Sequence, residues 1–138
     1  MTQFQMLLLL GAVASFGLAA VHILLVFRPQ GWTYFGAGAL AAVAQTKARW
    51  LPPVTAGLAL LFAVWGVYAL SGAGILGPLP AEDAVLVSAG VIYLIRGLAV
   101  FGDLIRAVGG TQPWRMAAFS AYALVTGVLY LAGAARVN

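Results

Sequence analysis

The sequence predicts an all-α membrane protein: four transmembrane helices in an antiparallel bundle, with a short interfacial or re-entrant helix between the first and second spans. Three observations predict it. Only 7% of the residues are charged, against about 25% in a soluble domain, so there is too little charge to cover a water-facing surface. Hydrophobic residues make up 64%, and mean hydropathy is +1.04. These residues fall into four long runs, and a helix needs about 20 apolar residues to cross the hydrocarbon core. The 138 residues accommodate four such runs as a single membrane domain.

The first span is expected over residues 4–27, closed by Arg28-Pro29. It lacks the basic stretch that opens a secretory signal, and its apolar run is too long for one, so it reads as uncleaved. The second, over residues 52–70, opens at Pro52-Pro53, and proline suits the first helical turn. Gly72, Gly74, Gly77, Pro78 and Pro80 then form a loop. The third, over residues 84–106, follows Glu82 and Asp83, two acids suited to a helix N-terminus. Gly109-Gly110 and Pro113 make a turn before the fourth, over residues 114–134. Between the first two spans, Gly31 to Trp50 has too short an apolar core to cross. Its Trp32, Tyr34 and Phe35 favour the membrane–water interface.

Arg28, Lys47, Arg49, Arg106 and Arg115 fall on one side of this arrangement; Arg136, Glu82, Asp83 and both termini fall on the other. Loops rich in Lys and Arg stay cytoplasmic. The expected location is therefore a bacterial inner membrane, multi-pass, with both termini periplasmic. Trp32, Trp50 and Trp114 would line the cytoplasmic interface, and Tyr68 and Tyr130 would lie near the outer one. The ends of the second and fourth spans, "GVYALSGA" and "GVLYLAGA", suggest two related hairpins. Gly11, Ser15, Gly57 and Gly90 are small residues that would let helices of a homo-oligomer approach closely.

Several chemistries are set aside. The absence of cysteine removes disulfides and thiolate metal sites. A single histidine supplies too few ligands for a metal or haem within one chain, so neither metal nor cofactor is expected. No glycine-rich phosphate loop follows a strand, and no serine is positioned for nucleophilic catalysis. The net charge of +4 flanks apolar segments instead of forming a stripe, which points to membrane surfaces and away from nucleic acid.

Arg96 is the exception to the apolar pattern, lying inside the third span. A charge at the bilayer centre costs roughly 2.5–3.5 kcal/mol on insertion scales, and such residues mark ligand or ion pathways. Side chains on a helix lean toward its N-terminus, here the outer side, so escape of Arg96 to the cytoplasmic interface is disfavoured. Tyr93, one turn earlier, offers a stacking surface. Asp103 is seven residues on, about 10 Å along the axis, too far for a direct bridge within the helix. His22 lies at intermediate depth, and Tyr122 and Thr126, with Ser120 close by, lie at comparable depth. The candidate ligand-binding set is therefore Arg96, His22, Asp103, Tyr93, Tyr122 and Thr126. Around it the sequence suggests binding or passage of a small polar or anionic solute through a cytoplasm-facing cleft. One alternative is a helical partner or assembly subunit, with Arg96 meeting Asp103 of another copy. Another is a membrane enzyme or binder for a lipid or hydrophobic ring compound, with His22 as acid/base.

Overall fold

The computed structural model describes residues 1–36 and 39–135. Among them all regular structure is helical: α1 (Gln3–Phe27), a 3₁₀ turn (Pro29–Gly31), α2 (Trp32–Phe35), α3 (Ala39–Gln45), α4 (Leu51–Gly72), α5 (Glu82–Gly97), α6 (Val100–Val108) and α7 (Trp114–Ala134). Four segments are long and apolar enough to cross a membrane: Gln3–Phe27, Leu51–Gly72, Glu82–Val108 and Trp114–Ala134. Arg136 lies outside the described residues.

Local chemistry sets the boundaries. Thr2 Oγ1 accepts the Gln5 N–H at 3.2 Å while Gln5 Oε1 accepts the Thr2 N–H at 2.8 Å, a reciprocal capping box that starts α1 earlier than its apolar run suggests. Arg28, before Pro29, is forced out of helical geometry (φ −130°, ψ 72°). Gly74 (φ +78°) ends α4: the Ile75 N–H bonds the Leu70 carbonyl and the Gly74 N–H that of Ser71, a Schellman closure. Gly110 (φ +71°) closes α6 in the same way, with Thr111 bonding Arg106 and Gly110 bonding Ala107.

The third span is interrupted, contrary to the single helix expected. At Leu98 and Ala99 the ladder tightens: the Ala99 N–H turns to the Arg96 carbonyl and the Phe101 N–H to that of Leu98, both at 3.4 Å. Gly97 immediately precedes the break, and glycine is among the weakest helix formers.

The chain forms two compact units, Met1–Ser15 with Trp65–Asn138, and Phe16–Val64. In the first, α7 presents a buried stripe of Met116, Ser120, Ala123, Gly127 and Tyr130 at helical spacing. A Cβ at Gly97 would lie 2.3 Å from Leu124 backbone, one at Gly127 2.6 Å from the Leu94 N, and one at Gly90 2.8 Å from the Leu131 side chain. These pairs descend one helix as they ascend the other, so α5 and α7 run antiparallel with their backbones nearly touching. Gly11 packs on the Tyr130 ring and Gly133 on Leu8, which seats the start of α1 on α7. Of the four small residues expected between copies, Gly11 and Gly90 are thus filled from within the chain, and Ser15 is fully buried. Gly57 alone of the three glycines faces open space.

The second unit packs Leu25, Trp32, Ala44 and Leu51 together. Trp32 Nε1 donates to Thr55 Oγ1 at 3.2 Å, so Trp32 is a buried anchor, whereas Trp50 and Trp114 are exposed. Two short helices occupy the stretch where one was expected.

Candidate functional site

Where α5, α6 and α7 meet, the sequence places three groups that satisfy one another. Arg96 Nη1 donates to Ser120 Oγ at 2.7 Å, and Ser120 Oγ donates to Asp103 Oδ2 at 2.5 Å. Gln112 Nε2 donates to the other carboxylate oxygen, Oδ1, at 2.9 Å. Arg106 Nη2 is 4.0 Å from that oxygen and largely exposed, a contact worth roughly 0–1 kcal/mol. Ser120 is fully buried and Asp103 nearly so. Hydrogen bonds to a charged partner are about twice as strong as neutral ones, so the serine hydroxyl joins a guanidinium and a carboxylate that do not themselves touch.

The direction of Arg96 is a correction to the sequence reading. In the α5–α7 pairing, where Gly97 faces Leu124, Arg96 is level with about residue 125. Ser120 therefore lies about 7 Å along the axis toward the Asp103 end. The guanidinium descends toward the C-terminal end of the third span, against the usual lean. The long stem carries the charge to a hydroxyl on α7. Arg96 itself is exposed, as are Ile92, Ile95 and Leu98 of the same span. Among the described residues Ser120 is its hydrogen-bond partner.

The other predicted residues occupy different positions. Tyr93 is buried and turned away from the Arg96–Ser120 bond: its hydroxyl shares a hydrogen bond of 2.9 Å with Ser15 Oγ, which also bonds the Tyr130 hydroxyl at 2.7 Å. Its ring packs on Trp65 and Tyr130 at centroid distances of 5.1 and 5.6 Å. Tyr130 is fully buried in this hydroxyl cluster, whereas Tyr68 donates to the Pro80 carbonyl of a loop. Thr126 Oγ1 bonds the Tyr122 carbonyl of its own helix at 2.8 Å, and the Tyr122 hydroxyl donates to the Ala14 carbonyl at 2.7 Å.

No known protein family, curated protein or solved structure matches the chain. Chemistry must therefore be read from these side chains alone.

His22 belongs to the second unit. Its Nδ1–H donates to the Leu18 carbonyl at 2.8 Å, and its ring meets Trp32 edge-on at 5.6 Å and Phe62 at 4.9 Å. In the neutral ring that bond places the proton on Nδ1 and leaves Nε2 as an acceptor.

The structure thus joins Arg96 and Asp103, through Ser120, and gives Tyr93, Tyr122, Thr126 and His22 other partners. Gln112 had no signal in the sequence, lying in a turn among small and polar residues. Ser120 had one: its depth in the fourth span put it close to the candidate set, and it is a small buried hydroxyl on α7. Both carboxylate oxygens of Asp103 accept a hydrogen bond from within the chain.

Proposed function

We propose that this is a small multi-pass protein of the bacterial inner membrane that binds or passes a small polar or anionic solute at Arg96. One observation supports the reading most: a guanidinium well inside the third span is exposed and held at one end by Ser120. Ser120 and Asp103 orient the cation without neutralising it by direct contact. Arg96 sits 12 residues before Val108, where the span ends, about 18 Å away, too deep for the interface to solvate it fully. An anion or strong acceptor arriving from the cytoplasmic side would complete its donors, as intramembrane cations usually require.

The test is native mass spectrometry of the protein purified with its bound small molecules. Arg96→Leu is expected to leave a folded protein without the adduct, since Ser120 keeps its bond to Asp103. Arg96→Lys is expected to lose it as well if recognition is bidentate. An Arg96→Leu protein retaining the same adduct would overturn the proposal. A second reading, an assembly subunit, rests on the exposed apolar side chains Ile92, Ile95 and Leu98 of this span; there Arg96→Leu would change oligomer mass and leave small-molecule content unchanged.

The orientation belongs to the same proposal. Gly110 has positive φ and Ala81 does as well (55°), so reporter cysteines are better placed at Gly77, which has open space around it, and at exposed Thr111. In whole cells an impermeant thiol reagent is expected to label Gly77→Cys and spare Thr111→Cys. The opposite pattern would place both termini in the cytoplasm.

A further inference from the structure

A second site lies within the Phe16–Val64 unit. That unit contains Arg28, Lys47 and Arg49 and no acidic residue. A cavity of about 430 Å³ is lined by the polar side chains Gln30, Lys47 and Arg49 together with Leu51 and Pro52. A second, about 380 Å³ and wholly apolar, is lined by Ile23 and Phe27 of α1 and by Ala56, Leu60 and Ala63 of α4.

The register puts the two in line. Ile23 and Phe27 lie one turn apart on α1, and Pro52, which lines the first cavity, is followed on α4 by Ala56, Leu60 and Ala63 of the second at intervals of four, four and three. Each set occupies one side of its segment. Small side chains on α4 keep the furrow open, while Ile23, Phe27 and Leu60 are exposed along its rim. From Pro52 to Ala63 it runs about 16 Å, close to half of a hydrocarbon core of about 30 Å.

We infer that this furrow holds an anionic glycerophospholipid of the leaflet facing Lys47 and Arg49, with the phosphate between the two cations and an acyl chain along α1 and α4. The length decides the occupant: a partner's transmembrane helix would need the whole bilayer depth, and a free phosphate would leave the apolar part unused. The charge agrees, because the cations cluster at one end and the rest of the furrow is uncharged. Each cation near an anionic headgroup favours it by about fivefold.

The probes are phosphatidylglycerol and phosphatidylcholine offered in equal amounts to the full chain in mild detergent, with adducts counted by native mass spectrometry. Phosphatidylglycerol is expected to dominate by about tenfold or more. Lys47 has φ 53°, a region asparagine tolerates, so Lys47→Asn with Arg49→Gln removes both charges at exposed positions. The double variant is expected to melt like the parent and bind the two lipids equally. Ala56→Leu with Ala63→Leu, which fills the furrow, is expected to reduce both adducts. Equal binding by the unmodified chain would overturn the inference, as would a preference that survives the double variant. Displacement of phosphatidylglycerol by millimolar inorganic phosphate would indicate an anion site without a lipid. An equal loss on Arg115→Gln would indicate diffuse attraction.

Discussion

Gly97→Ala is expected to destabilise the protein by about 2 kcal/mol or more, and Gly127→Ala by a similar amount. The added methyl at residue 97 would sit 2.3 Å from the backbone N and Cα of Leu124, and at residue 127 it would sit 2.6 Å from the backbone N of Leu94. Backbone cannot rotate aside as a side chain can, so α5 and α7 must separate, and overpacking of this kind typically costs 1–3 kcal/mol. Separation also moves Arg96 away from Ser120. Gly57→Ala provides the internal control. The same methyl meets nothing within 4 Å there, and replacing a mid-helix glycine by alanine should add about 0.5–1 kcal/mol. Unfolding of the three variants in mixed micelles, followed by helical circular dichroism, checks the signs. Gly97→Ala as stable as the parent would disprove the close α5–α7 contact.

Asp103→Leu is expected to cost about 3 kcal/mol. It leaves the buried Ser120 hydroxyl without its acceptor and the Gln112 amide without its own, and each stranded group costs about 1–3 kcal/mol. Arg96→Leu should cost far less and may not be compared as an equivalent loss of charge, because it leaves the Ser120–Asp103 bond intact. Asp103→Asn keeps one acceptor oxygen and should fall between them. The measurement is the same unfolding series. Equal losses for Asp103→Leu and Arg96→Leu would show that the two charges act as a direct pair and that Ser120 does not mediate.

The spans, their order and most of their ends were readable from the residues in line. Lipid solubility depends on composition over about 20 positions, and caps such as Thr2 with Gln5 or Gly110 after α6 act within a few residues. Arg96 was recognisable as the anomalous charge for the same reason: its cost is set by depth alone. Its partner was not recognisable. A stem with several rotatable bonds reaches up or down its helix, and only the close contacts of Gly90, Gly97 and Gly127 fix which turn of α7 lies opposite. That register brings Ser120 between Arg96 and Asp103 and turns Tyr93 toward Ser15 and Tyr130. His22 shows the same division: its residue type promised a titratable group, but its bond to the Leu18 carbonyl and its contacts with Trp32 and Phe62 follow from how neighbouring segments pack. Hydrophobic patterning determines which segments enter the membrane, and close packing between helices decides which polar groups meet there, because hydrogen bonds act over about 3 Å and a shift of one residue along a helix already moves a donor by about 1.5 Å.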